Sequence, residues 1–246
     1  MRKTLELDVT TDKLRGIDQA LDPGGIGTFV VRNVLDSEQV QLMQSEIFEP
    51  GRLQWREDRK PYHNDRHMLI IQNHMTSALK LTRGDAAMVE RVPHMRALAA
   101  NIQGLITSLA PVFPSLASWE ADEMSVHRYD DQEVGLSFHK DNLRFFGLIA
   151  VLTVEGASDV AVLDERNEPH YIPVGEGDLN LTRATGLYPS TNEAGKPINL
   201  CPDHGVYNLR TPYRTSFIVR ANSVPNEPIP GFVYANWQPE TPAQET

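Results

Sequence analysis

The chain has one cysteine, fewer basic than acidic residues and no long apolar run, and each shortage removes a class of protein. Cys201 alone cannot close an internal disulfide, and it excludes multi-cysteine zinc sites and iron–sulfur clusters. A metal here has to rely on imidazole and carboxylate, and the low cysteine content suits a reducing cytoplasm. The longest apolar run, Phe145 to Leu152, falls far short of the roughly 20 residues a membrane helix needs. The opening segment MRKTLELD lacks the apolar stretch of an export signal, so a soluble, cytoplasmic protein without a membrane partner is expected. With 23 Lys and Arg against 33 Asp and Glu, the formal net charge is −10. No nucleic-acid partner is expected, because phosphate-backbone affinity rests on clustered cations. The segment from Arg52 to Arg66, with Arg56, Arg59 and Lys60, reads either as a solvated edge or as an anion-attracting mouth.

Internal repeats, low-complexity tracts and Gly/Ser linkers are also missing, so residues 1–246 read as one domain. Residues 1–118 read as mainly helical support. GTFVVRNVL suggests a strand, and Asp36 or Ser37 can cap a helix that ends before Pro50-Gly51. An apolar stripe from Met88 to Leu109 has helical spacing, interrupted by Pro93. From Trp119 the period becomes two, and eight strand-like pieces follow to residue 223 with turn-like separators. That order gives an α+β protein whose β core is an antiparallel sandwich or barrel. Residues 224–246 are proline-rich and should run extended over the surface, with Trp237 as an anchor.

Three patterns carry chemistry. In LSFHKDN, His139 and Asp141 are two apart, so on a strand or its end both project to one side. Such a pair arises easily by chance in a chain with eight histidines. A second histidine, His204, opens the later apolar strand HGVYNL and makes the set two imidazoles and one carboxylate. That set leaves open positions on Fe(II), with zinc as the main competitor. In YRTSFIVR, Arg214 and Ser216 share one face of the last core strand. A buried Arg needs an anion, which is either a protein carboxylate or a ligand carboxylate gripped by its planar fork.

The order His139-x-Asp141, His204, Arg214-x-Ser216 resembles the 2-oxoglutarate/Fe(II)-dependent oxygenase superfamily, over roughly Tyr129 to Arg220. RYDDQEVGLSFHKD is similar to the superfamily segment in which a tyrosine precedes the first ligand, and GEGDLNL to its glycine turn. The resemblance implies a double-stranded β-helix, or jelly-roll, core over residues 119–223 with packed N-terminal helices. It implies His139, Asp141 and His204 as Fe(II) ligands, Arg214 and Ser216 as the site for the distal carboxylate of 2-oxoglutarate, and Tyr129 as a donor to the same co-substrate. It further implies O₂ as co-substrate, hydroxylation of an unactivated C–H, and release of succinate and CO₂.

HKDNLRFFGLIAVLTV and SFIVRANSVPN also resemble small bacterial oxygenases of free amino acids, halogenases among them. Halogenases lack the ligand carboxylate, so Asp141 favours hydroxylation. The implied partner is a small polar metabolite such as an amino acid, and no oligomeric state follows. Arg66 or His67 could meet its anion, and Glu120, Glu123, Asn142 or Asn222 its amine, with Trp237 closing the pocket. Each has a plainer reading: a solvated Arg66, a surface Glu120, an Asn142 that caps a turn. His127 and His170 read as structural or exposed, and Cys201 as a small buried residue. Two other classes compete: a nucleic-acid or protein demethylase or hydroxylase on the same fold, which would need a basic or extended groove, and a non-catalytic jelly-roll binding protein.

Overall fold

A computed structural model of the chain describes residues 5–53, 55–58, 62–63, 69–70, 75–82, 91–129, 134–142, 144–188 and 200–222. The helices form where the sequence supplies both a cap and an apolar stripe. A short helix α1 (Ile17–Leu21) precedes strand β1 (Thr28–Val31) and helix α2 (Ser37–Ile47). Asp36 opens α2 with a capping box: its side chain accepts from Gln39 N at 2.9 Å, and Gln39 Oε1 accepts from Asp36 N at 3.0 Å. The next helix among the described residues, α3 (Pro93–Ser108), begins at Pro93 rather than being interrupted there, and Met88 and Val89 of the expected stripe lie outside the described residues. Proline suits the first helical position, where its missing N–H would have no intrahelical partner. Val92, at the cap position, offers no polar side chain, and Glu46 of α2 supplies the cap instead. Its buried carboxylate accepts from His94 N at 2.9 Å and Met95 N at 2.8 Å.

Strands β2 (Trp55–Asp58), β3 (Tyr62–His63), β4 (Leu69–Ile70) and β5 (Met75–Thr82) lie between α2 and α3. The eight strands expected after Trp119 are all present. They are β6 (Glu123–Tyr129), β7 (Val134–His139), β8 (Phe145–Glu155), β9 (Ser158–Leu163), β10 (Pro169–Val174), β11 (Leu179–Arg183), β12 (His204–Tyr207) and β13 (Arg214–Asn222). They divide between two antiparallel sheets. The larger has the order β1-β11-β8-β13-β6-β5-β2, and the smaller β10-β9-β12-β7. The first 118 residues, read as mainly helical, thus also lend β1, β2 and β5 to the larger sheet. The proline-rich tail lies outside the described residues.

Alternation gives the larger sheet two different faces. On one, Val126, Leu148, Ala150, Leu152, Phe217 and Val219 pack against Met43 and Ile47 of α2 and Leu98, Ile102 and Ile106 of α3. Each such fully buried apolar side chain is worth roughly 1.5–3 kcal/mol over its exposed state. The other face looks towards the smaller sheet and carries Tyr129, Arg214, Ser216 and Ile218. Trp119 anchors the edge of this layer. Its indole N–H lies 3.1 Å from Phe146 O and 3.0 Å from Leu148 O, carbonyls turned to it by Gly147 at φ 68°. That positive φ is open to glycine at little cost, and a Cβ there would sit 2.7 Å from Leu116. Among the described residues no helix is long and apolar enough to cross a membrane.

Candidate active site

β7 and β12 are antiparallel neighbours, and their register makes His139 and His204 direct partners. The two rings lie 4.5 Å apart between centroids. Asp141, two residues beyond His139 and past the strand end, turns its carboxylate towards the pair, with Oδ2 3.1 Å from His204 Nε2. One ligand atom from each of the three lies within 4.8 Å of the others. Each ring is oriented from behind by a backbone carbonyl, His139 Nδ1 by Ser137 O at 2.9 Å and His204 Nδ1 by Pro202 O at 3.1 Å. A carbonyl only accepts, so Nδ1 carries the proton in both rings and Nε2 is the nitrogen left to ligate a metal.

The electrostatics of the triad follow from its burial and mutual contact. Burial and the neighbouring His204 push His139 down to about 4, against the pull of Asp141. Burial would raise Asp141, but hydrogen bonding and charge from His204, with Arg220 and His139, hold it below the usual carboxylate range. Burial would lower His204, and Asp141 outweighs it, so His204 is raised. A dication fits this donor set, since it takes over from the proton that His204 and Asp141 otherwise share.

Arg214 starts β13 opposite Tyr129 of β6, and its guanidinium carbon is 5.7 Å from the tyrosine ring centre. It is 2% exposed, and its only hydrogen bond among the described residues is a long one, 3.4 Å, to Thr153 Oγ1. No carboxylate among the described residues forms an ion pair with it. Ser216, on the same face and 1% exposed, has a buried hydroxyl with no partner among the described residues, as does Arg214 Nε. An uncompensated buried guanidinium costs several kcal/mol, so the pocket calls for an anion that the described residues do not supply. Burial lowers Arg214 and raises Tyr129, which leaves the phenol protonated and able to donate. Tyr129 also lies in the fields of Arg214, Arg220 and Asp141, which makes the anion pocket and the triad neighbours. A carboxylate co-substrate therefore fits these residues.

Other positions around the cavity separate clearly. Asn222 ends β13, and its Oδ1 is buried without a partner among the described residues. Asn142 is exposed and takes the plainer role, its Oδ1 accepting from Arg144 N at 3.0 Å across a turn. Glu120 is exposed in the link before β6. Arg66, His67 and Trp237 lie outside the described residues. Glu123 is buried between Arg220, 3.0 Å from Oε1, and Arg144, 2.7 Å from Oε2. Two residues near the triad were not singled out as site residues from sequence. Arg220 places Nη2 4.0 Å from Asp141 Oδ1. His127 sits on β6 between Tyr129 and Glu123, on their side of the strand. The alternation within EMSVHRY could have indicated His127, since it shares the parity of Tyr129.

Two sheets with this strand order, closed around two histidines, an aspartate and a buried arginine, define the double-stranded β-helix fold of the 2-oxoglutarate/Fe(II) oxygenases. The structure is similar to a 2OG-Fe(II) oxygenase family oxidoreductase from Burkholderia pseudomallei, with TM-score 0.55 and 13% identity over 90% of this chain and 100% of that one. It is similar to a Pseudomonas putida prolyl-4-hydroxylase at TM-score 0.53 and 14% identity, over 85% of this chain and 98% of that one. It also matches Arabidopsis thaliana dioxygenase for auxin oxidation 1 in its 2-oxoglutarate complex, at TM-score 0.52 and 14% identity, over 90% and 92% of the two chains. No family model and no curated protein matches the chain.

Proposed function

We propose that the chain is a 2-oxoglutarate- and Fe(II)-dependent dioxygenase that hydroxylates an unactivated C–H of a small polar metabolite such as a free amino acid. The observation that carries this reading is the pairing, between the two sheets, of the His139–Asp141–His204 cluster with a buried Arg214 that lacks a carboxylate among the described residues. His139, Asp141 and His204 would hold Fe(II) on one face, leaving its other face open. Arg214 would grip the distal carboxylate of 2-oxoglutarate, with Ser216 and Tyr129 donating to it. When bound, iron, 2-oxoglutarate and O₂ supply an oxidant strong enough to functionalise a C–H bond, with succinate and CO₂ as by-products.

The chain's own part is ligation, orientation and exclusion of water. Phe145, Ile149 and Ile218 form an apolar cluster on the cavity side of the larger sheet, where bulk water would otherwise reach the site. Asn222 is the substrate contact that the described residues support best, through its partnerless buried oxygen. Arg66, His67 and Trp237 stay candidates for the substrate by the chemistry of their side chains, and Glu120 and Asn142 take the plainer readings.

Anaerobic addition of Fe(II) and then 2-oxoglutarate should produce a visible charge-transfer absorption, lost in Asp141→Ala. A screen of free amino acids should then find one that drives succinate formation and gains one oxygen by mass spectrometry. If wild-type protein binds neither iron nor 2-oxoglutarate, the non-catalytic binding-protein reading replaces this one.

A further inference from the structure

The face of β6 that looks into the cavity carries Glu123, Ser125, His127 and Tyr129, and the facing positions of β13 are Arg220, Ile218, Ser216 and Arg214 in matching register. Arg214 and Tyr129 form one rung, Ser216 and His127 the next. Moving along the strands in that direction leads to Arg220, whose guanidinium approaches the ligand Asp141. A ligand that runs from Arg214 to the metal therefore passes the rung that His127 occupies. Arg214, Ser216 and Tyr129 account for the distal carboxylate, while His127 has no part in the proposed function as stated.

Its surroundings place His127 on that path. The ring lies in the fields of Arg220, Asp141, Arg214 and His139, that is, of two iron ligands and of the arginines at both ends of the ligand's course. No hydrogen bond among the described residues involves the ring, yet part of its surface stays open. A histidine placed in a strand only for packing would bury its nitrogens against partners, because an unmade hydrogen bond in a closed cavity is costly. Burial, with Arg220 next, pushes this imidazole down to about 3, so at neutral pH it is uncharged and keeps one N–H donor and one acceptor. A neutral donor complements a dianion that already meets Arg214, without adding a further buried cation beside Arg214 and Arg220.

We propose that His127 is a further co-substrate-binding residue, whose ring N–H donates to the iron-chelating end of 2-oxoglutarate. This rests on the 2-oxoglutarate assignment above, and it adds a contact at the end opposite Arg214. The hydrogen bond it describes is to a carboxylate or keto oxygen next to the metal, so its loss weakens the co-substrate and leaves the metal in place.

The test needs neither substrate nor turnover. Anaerobic titration of Fe(II)-loaded protein with 2-oxoglutarate, followed by the charge-transfer absorption, gives a dissociation constant for each variant. His127→Leu should raise that constant about tenfold or more, the size expected when a hydrogen bond to a charged group is removed. His127→Asn, which keeps an N–H donor, should recover most of the affinity, and Fe(II) binding without 2-oxoglutarate should be unchanged in both. A wild-type constant in His127→Leu overturns the inference, as does a loss of Fe(II) affinity equal to the loss of 2-oxoglutarate affinity. If His127→Leu does not fold, wild-type protein loaded with zinc and labelled with ¹⁵N-histidine gives the answer by NMR. The imidazole signal that is missing in His127→Asn should shift on adding 2-oxoglutarate, and an unmoved signal overturns the inference. Absence of any 2-oxoglutarate-dependent band in wild type sinks the co-substrate assignment together with this inference; a band indifferent to His127→Leu sinks this inference alone.

Discussion

Arg214 shows how a single side chain can be read for function through its cost. Its guanidinium stays charged at any physiological pH, it is buried, and no acid among the described residues faces it. Folding the chain without co-substrate therefore works against this residue. Replacing it by a flexible apolar side chain of similar length removes the desolvated charge at little loss of packing. Ligand-free Arg214→Met should accordingly unfold at a higher temperature than wild type, by the equivalent of about 1 kcal/mol or more, while losing 2-oxoglutarate binding. Thermal unfolding and anaerobic titration of the same sample check both halves. A lower midpoint for the variant would mean that Arg214 has a protein anion as its partner, and would remove the main argument for a ligand carboxylate.

At the scale of elements, α2 and α3 are joined by more than apolar contact. Glu46 projects from the last turn of α2 to the first turn of α3 and satisfies two N–H groups that a helix start leaves open. Its negative charge also complements the positive end of the α3 dipole. Glu46→Ala should destabilise the protein by about 2–3 kcal/mol, since one buried and one half-buried donor lose a charged acceptor at once. Urea unfolding measures this directly, and a change below about 0.5 kcal/mol would show that water replaces the carboxylate at no cost. The effect should fall on stability alone, because α2 and α3 pack on the face of the larger sheet that points away from the site.

At the scale of the whole molecule, the site is shared between the two sheets. His139, Asp141 and His204 belong to the smaller sheet and its margin, while Tyr129, Arg214 and Ser216 belong to the larger. A ligand that touches both should tie them together. Fe(II) with 2-oxoglutarate at about one hundred times its dissociation constant should stabilise wild type by about 2.7 kcal/mol over the iron-loaded protein, by mass action. Arg214→Met should lose that increment and keep the one due to iron. Melting curves under anaerobic conditions, with and without 2-oxoglutarate, test it, and an equal increment in both proteins would place the co-substrate elsewhere.

The sequence by itself determined much of this protein, where local chemistry and periodicity suffice. The capping signals of α2, the period-two pieces from β6 to β13 and the His139–Asp141 spacing are all local, and each was legible. Pro93 was visible too, yet it starts α3 rather than interrupting a longer helix, because the cap comes from Glu46, a residue of another helix. β2 and β5 escaped notice because their segment is largely polar, and it is pairing, of β5 with β6 and of β2 with β5, that makes them strands. The candidate site divides along the same line. Its ligand types could be read from residue identities, but only the tertiary structure set His204 against His139, left Arg214 without an acid among the described residues, and set His127 opposite Ser216, one rung from Arg214 and Tyr129. Register across sheets and burial are long-range properties, set by which strands meet, and no window of sequence contains them.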